Sequence, residues 1–181
     1  MRDWRQDKHW ADKHLPEIER VIRSVAGDII SIDVASDVAD QSFATDYIVR
    51  VQAGDIACRI RKWPHWIRHH DFTLRSSRPS GIETELAKIQ AGFARWYLYA
   101  WAKDDLAFGA WVFVDLDRLR DSGLLDVQHR IIPNPNGSSN FIGLSLTELD
   151  DHGCLLHGGG AAAALIRKYR NRLVVVQGTL L

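Results

Sequence analysis

Apolar residues recur at helical spacing through Leu15, Ile18, Val21, Ile22 and Val25. Pro16 suits the first turn of that helix, and Gly27 can end it. Residues 1–14 before it are charged with isolated tryptophans and read as a short amphipathic helix. The period then changes to two. Ile30, Ile32 and Val34 alternate, which predicts a strand over Asp28 to Val34 with those three on one face. A polar segment with Asp37 and Asp40 follows. The clearest hairpin in the chain comes next. Tyr47, Val49 and Val51 alternate in its first arm, Ile56, Cys58 and Ile60 in its second, around Ala53-Gly54-Asp55. With Ala53-Gly54 as the loop, Asp46 falls opposite Arg61 and Ile48 opposite Arg59, so Asp46, Arg59 and Arg61 share a face.

Residues 62–80 are basic, aromatic and irregular, with a short strand at Phe72-Thr73-Leu74-Arg75. Ser80 and Glu83 have capping-box spacing ahead of an apolar stripe, Ile82, Leu86, Ile89 and Phe93, which predicts a second helix. Arg95 to Trp101 and Gly109 to Val114 read as two further strands. Residues 114–124 then resemble residues 144–154. Each has a strand end, an Asp or Thr cap, one helical turn and a glycine exit, and common junction chemistry explains this better than duplication. Residues 133–140 form a loop. Gly158-Gly159-Gly160 and Ala161 to Ala164 read as a linker to a basic, apolar tail. The expected organisation is one α/β domain over residues 1–157, with a mixed central sheet, followed by linker and tail over 158–181.

A chain of 181 residues, 46% hydrophobic, is long enough for one substantial core. The formal net charge is zero, so a polyanion site has to come from local clustering. No apolar run approaches the roughly 20 residues of a membrane helix, and the N-terminus has no signal-like stretch. Cys58 and Cys154 lie far apart and read as buried free thiols. A cytoplasmic protein without membrane contact is expected.

Charge is segregated. Residues 26–57 carry six acids and one base; residues 58–80 carry six bases and one acid. The basic segment also holds Trp63, Trp66, His65, His69 and His70. Arginines among aromatics suit phosphates and exposed bases, and they equally suit a solvated loop paired with the acidic stretch. Arg75 and Arg78 lie in a hydroxyl-rich loop leading to a helix, which reads as a phosphate seat or as a rigid capped loop. Adjacent His69-His70, and His152 with His157, fit no compact metal spacing. Phosphate-cradling glycine loops, nucleophile elbows and Cys/His zinc patterns are missing.

Helix, strand, a strand opening with Asp46-Tyr47-Ile48-Val49-Arg50, a strand with Ala57-Cys58-Arg59-Ile60-Arg61, helix and strand together resemble the PD-(D/E)XK superfamily of restriction-endonuclease-like phosphodiesterases. The resemblance covers roughly residues 15–115 and includes phage and mobile-element nucleases. It implies a restriction-endonuclease-like core, a nucleic-acid partner (DNA before RNA) and Mg²⁺ held by an acid pair, with a lysine steadying the attacking group. Asp46 matches the first acid. Arg59 stands where the second acid belongs and Arg61 where the lysine belongs, and a guanidinium repels a metal ion. Two readings follow. Either the acid has migrated to the second helix, so that Asp46 and Glu85 hold Mg²⁺ beside Lys88, with Glu17 or Glu19 contributing, or the fold only binds. Arg59, Arg61, Lys62, Arg75 and Arg78 would contact nucleic acid in both. The rival class is a non-catalytic interaction module with Trp63 and Trp66 as its hot spot, bound to a protein partner or a second copy.

Overall fold

The computed structural model describes residues 9–34, 47–79, 81, 83–103, 106–134 and 137–178. Helix α1 (Leu15–Ala26) leads into β1 (Ile29–Val34), β2 (Tyr47–Val51) and β3 (Gly54–Lys62). A crossover of α2 (Trp63–Arg68), β4 (Asp71–Ser77) and α3 (Glu85–Gln90) returns the chain to β5 (Trp96–Ala102). Then come β6 (Phe108–Asp115), α4 (Leu116–Asp121), β7 (Ile131–Pro133), β8 (Asn140–Ser145), α5 (Leu146–Asp151), β9 (Leu155–Gly160) and α6 (Ala161–Gly178). The architecture is α/β. A six-stranded mixed sheet runs β1-β2-β3-β5-β6-β9, and a three-stranded sheet runs β4-β8-β7. β3 and β5 are parallel, as the long crossover between them permits; the other described pairs in the large sheet are antiparallel.

The large sheet is buried on both faces. On one, Ile18, Val21 and Ile22 of α1 pack on Tyr47, Val49, Ile56, Cys58 and Leu98. On the other, Ala57, Tyr97, Tyr99, Trp101 and Val112 pack against Phe72, Leu74, Ile142 and Leu144 of the small sheet and against Ile89, Ala162 and Ile166. Two-sided burial explains why β5 is almost continuously apolar. Among the described residues, no helix is long and apolar enough to cross a membrane. Cys58 and Cys154 are buried and are not joined in a disulfide.

Several expectations are corrected. The hairpin turns at Gln52-Ala53, because Val51 pairs with Gly54 and Tyr47 with Cys58. The register thus shifts by two, putting Ala57 opposite Ile48, while each side chain keeps its face. Asp46, Asp37 and Asp40 lie outside the described residues. In β1 the register breaks between Ile29 and Ser31, leaving Ile30 exposed while Ile29 and Ile32 pack inward. α3 begins at Glu85 under a Thr84 cap whose hydroxyl accepts from the Ala87 N–H at 3.2 Å. Ser80 and Ile82 fall outside the described residues. Trp66 is buried against Trp101 at 4.9 Å between ring centres, and Trp63 packs over Gly109, so neither is the exposed anchor expected.

The chain after His157 is no linker. Gly158, Gly159 and Gly160 pair with Val112, Trp111 and Ala110, and α6 sends Ala162 and Ile166 into the core. The glycines have a packing cause: a Cβ on Gly159 would stand 2.1 Å from Nε1 of Trp111.

The two similar junctions both fold as strand, short helix and left-handed glycine. Asp115 accepts from the Arg118 N–H at 3.0 Å, and Gly123 and Gly153 have φ of 75° and 67°. Ser145, two residues before the threonine expected as the cap, closes a reciprocal box. Its hydroxyl accepts from the Glu148 N–H at 3.1 Å, and the Glu148 carboxylate accepts from the Ser145 N–H at 2.9 Å. That N–H holds the Glu148 carboxyl below its usual range of 4.5. A depressed folded pKa gives stability that is present above the unfolded value and lost as pH falls through the folded one. Glu148→Gln is therefore expected to lower the melting temperature at pH 7, with the deficit shrinking below pH 4.5. A deficit that stays constant with pH would assign the effect to packing.

Candidate functional site

Strand parity puts Arg59 and Arg61 on the Ala57 face of β3, towards the small sheet, with Ile56, Cys58 and Ile60 on the opposite face. β4 contributes Thr73 and Arg75. A register shift between Arg75 and Ser77 leaves Arg75 directly across from Phe141 of β8. The end of this pair is tied by Asn140 Nδ2, which donates to Ser77 Oγ at 2.9 Å. α3 supplies Glu85 at its first turn.

These elements gather three guanidiniums about one ring. Cζ of Arg59, Arg61 and Arg75 lies 5.9, 5.5 and 5.5 Å from the Phe141 centroid. Such contacts stabilise a cation that has lost part of its water, and guanidinium, being weakly hydrated, tolerates this best.

Among the described residues, one carboxylate is held among them. Glu85 is 2% exposed and Arg59 7%, and they form a buried ion pair through Arg59 Nη1 and Glu85 Oε2. Glu85 Oε2 also accepts from the Arg75 backbone N–H at 3.1 Å, and Oε1 accepts from the Tyr97 hydroxyl. Arg61 bonds neutral oxygens, Tyr99 Oη through Nε and Thr73 Oγ1 through Nη2, each at 2.9 Å. The buried Nε of Arg75 has no hydrogen-bond partner among the described residues. Among the described residues, neither Arg61 nor Arg75 meets a carboxylate. Beside the cluster lies a shallow cleft of about 430 Å³, lined by Arg75, Arg78, Pro79, Ser138 and Ser139. Two half-buried cations with no carboxylate among the described residues, one of them lining an open cleft, make surroundings whose chemistry favours an anion.

The sequence candidates separate accordingly. Arg59, Arg61 and Arg75 come together, and Arg78 shares the cleft wall with Arg75. Lys62, at the opposite parity, leaves the cluster and lies over Trp10 at 5.2 Å. Lys88 is 6% exposed, and burial, followed by the effect of Arg78, pulls its ammonium below the usual lysine range despite Glu83 and Glu85. Glu17 pairs with Arg20 on α1, against the other face of the sheet.

The donor chemistry around Glu85 does not fit Mg²⁺. Both its oxygens are engaged by protein donors, and a guanidinium stands where a cation would approach. Among the described residues, no group of three His, Cys, Asp or Glu side chains is arranged to hold a metal ion.

Sequence reading missed Phe141, Tyr97, Tyr99, Thr73 and Ser139. Alternation of Ile142, Leu144 and Leu146 with Phe141, Gly143 and Ser145 was the available signal for β8. No family model matches the chain, and neither does a curated protein or a solved structure.

Proposed function

We propose that this chain is a nucleic-acid-binding domain that seats phosphate on Arg59, Arg61 and Arg75, with Arg78 on the adjoining cleft wall, and that it binds without cleaving. One observation carries the reading: Arg61 and Arg75 are held half-buried against Phe141 with no described carboxylate to balance them. Desolvated cations in that state gain most from an anion with several acceptor oxygens. The order α1-β1-β2-β3, crossover, then β5 parallel to β3, supports a PD-(D/E)XK-like reading of the core. Phosphodiester hydrolysis on that scaffold needs carboxylates open to Mg²⁺, whereas Glu85 is committed to Arg59, Tyr97 and the Arg75 N–H. The rival interaction-module reading loses its hot spot, since Trp66 is buried and Trp63 half-buried.

Fluorescence anisotropy with single-stranded and duplex DNA tests this. Affinity is expected to fall steeply with salt, and Arg61→Gln with Arg75→Gln to reduce the salt slope by about 2 and affinity by about tenfold or more. Salt-insensitive binding, or a double variant that melts and binds like the parent, would refute the assignment. Nicking that appears on adding Mg²⁺ would overturn the non-catalytic part.

A further inference from the structure

Resting on the nucleic-acid reading, we infer that the arginine cluster receives a phosphate monoester, the terminal phosphate of a strand, in preference to an internal phosphodiester. The distribution of charge is the first reason. A strand running through a site presents its phosphates in succession, and cations that track it are spread along a groove. Here Arg59, Arg61 and Arg75 all sit within about 6 Å of one ring centre. They are gathered about one side chain instead of strung along a groove.

The amount of charge is the second reason. Three guanidiniums face one described carboxylate, and Glu85 balances Arg59, which leaves the charges of Arg61 and Arg75. A phosphodiester brings one negative charge. A monoester brings about −1.5 to −2 at pH 7, with three acceptor oxygens. Two positive charges in a half-buried site match the second.

The third reason is the set of donors at the cleft. Arg75 lines the cleft, and its buried Nε meets no acceptor among the described residues, so one edge of its fork has a donor still to give. Ser139, 5% exposed, lines the same cleft; its Oγ accepts from Asn134 Nδ2 at 3.4 Å, so its own hydroxyl hydrogen is the donor it can offer. A volume of about 430 Å³ lies within the roughly 300–1,000 Å³ of small-ligand sites and suits one terminal nucleotide.

The experiment uses the full chain and one labelled DNA strand in three forms: 5′-phosphorylated, 3′-phosphorylated, and hydroxyl at both ends. A nucleoside monophosphate serves as competitor. One phosphorylated form is expected to bind about tenfold or more tightly than the hydroxyl form, as for charge-assisted hydrogen bonds, and the monophosphate to remove that advantage. Arg75→Lys keeps the charge and loses the planar fork; it should bring the phosphorylated and hydroxyl strands to one common affinity, whatever that affinity is. Equal affinities for the three forms, with Arg61 and Arg75 still required, would overturn this inference and leave the nucleic-acid reading standing. Binding of the monophosphate with no binding of any strand would move the site to a free nucleotide and overturn both.

Discussion

Truncating Glu85 to alanine is expected to destabilise the fold by about 3–5 kcal/mol, measured as a shift in the urea midpoint at unchanged slope. The magnitude follows from what would be left behind. Arg59 is 7% exposed, and its guanidinium would stay buried without its carboxylate, while the Tyr97 hydroxyl and the Arg75 N–H would each lose an acceptor. Removing one member of a buried pair costs more than removing both, so Glu85→Gln with Arg59→Met should recover much of the loss. The same substitution separates the two readings of this carboxylate. If Glu85 served as a metal ligand, folded Glu85→Gln would lose function. As the only described counter-charge in an anion site, its neutralisation should raise affinity for DNA. A Glu85→Ala penalty below about 1 kcal/mol would mean that the pair is not buried as described.

Gly160→Ala should be nearly as damaging, at roughly 3 kcal/mol or more. Two costs add. Gly160 has φ of 58°, a conformation that strains an L side chain by about 1–3 kcal/mol. A Cβ there would also stand 2.2 Å from the carbonyl oxygen of Gly109, which is backbone and cannot swing away. The expected readout is a lowered melting temperature together with faster amide exchange in β6 and β9. Gly159→Ala meets only the Trp111 indole, a side chain, and should cost less than Gly160→Ala. Equal stabilities for Gly160→Ala and the parent would contradict the close packing of β9 on β6.

The contrast between the arms of the β2–β3 hairpin and its loop illustrates what local sequence carries. Alternation identified both arms and the face of every residue in them, since side-chain direction in a strand is set by parity alone. The turn lies one residue earlier than the loop glycine suggests, which shifts the register by two, because Gly54 here opens β3 and leaves Gln52-Ala53 to turn. The glycine run at 158–160 failed differently. Composition alone reads it as flexible; only the Trp111 indole lying across β9 and the Gly109 carbonyl explain why side chains are excluded there. Likewise the tryptophans at 63 and 66 stand among polar neighbours in sequence, yet α2 folds Trp66 onto Trp101.

For the site, residue chemistry was legible and assembly was not. Arg59, Arg61, Arg75, Arg78 and Glu85 stood out by charge, spacing and departure from a nuclease motif. The role of Glu85 was decided by contacts made across 26 residues to Arg59 and 12 to Tyr97. Phe141, the ring on which the arginines converge, is 66 positions beyond Arg75 and meets it only because β8 pairs with β4. By itself, then, the amino-acid order determined α1, the strands β2, β3, β5 and β6, the face each hairpin side chain occupies and an excess of basic groups over one segment, because these depend on neighbours a few positions apart. Which cations share one ring, which of them finds a carboxylate and which stays uncompensated depended on strand pairing and on burial between two sheets. Those are properties of distant segments brought together, and no local pattern encodes them.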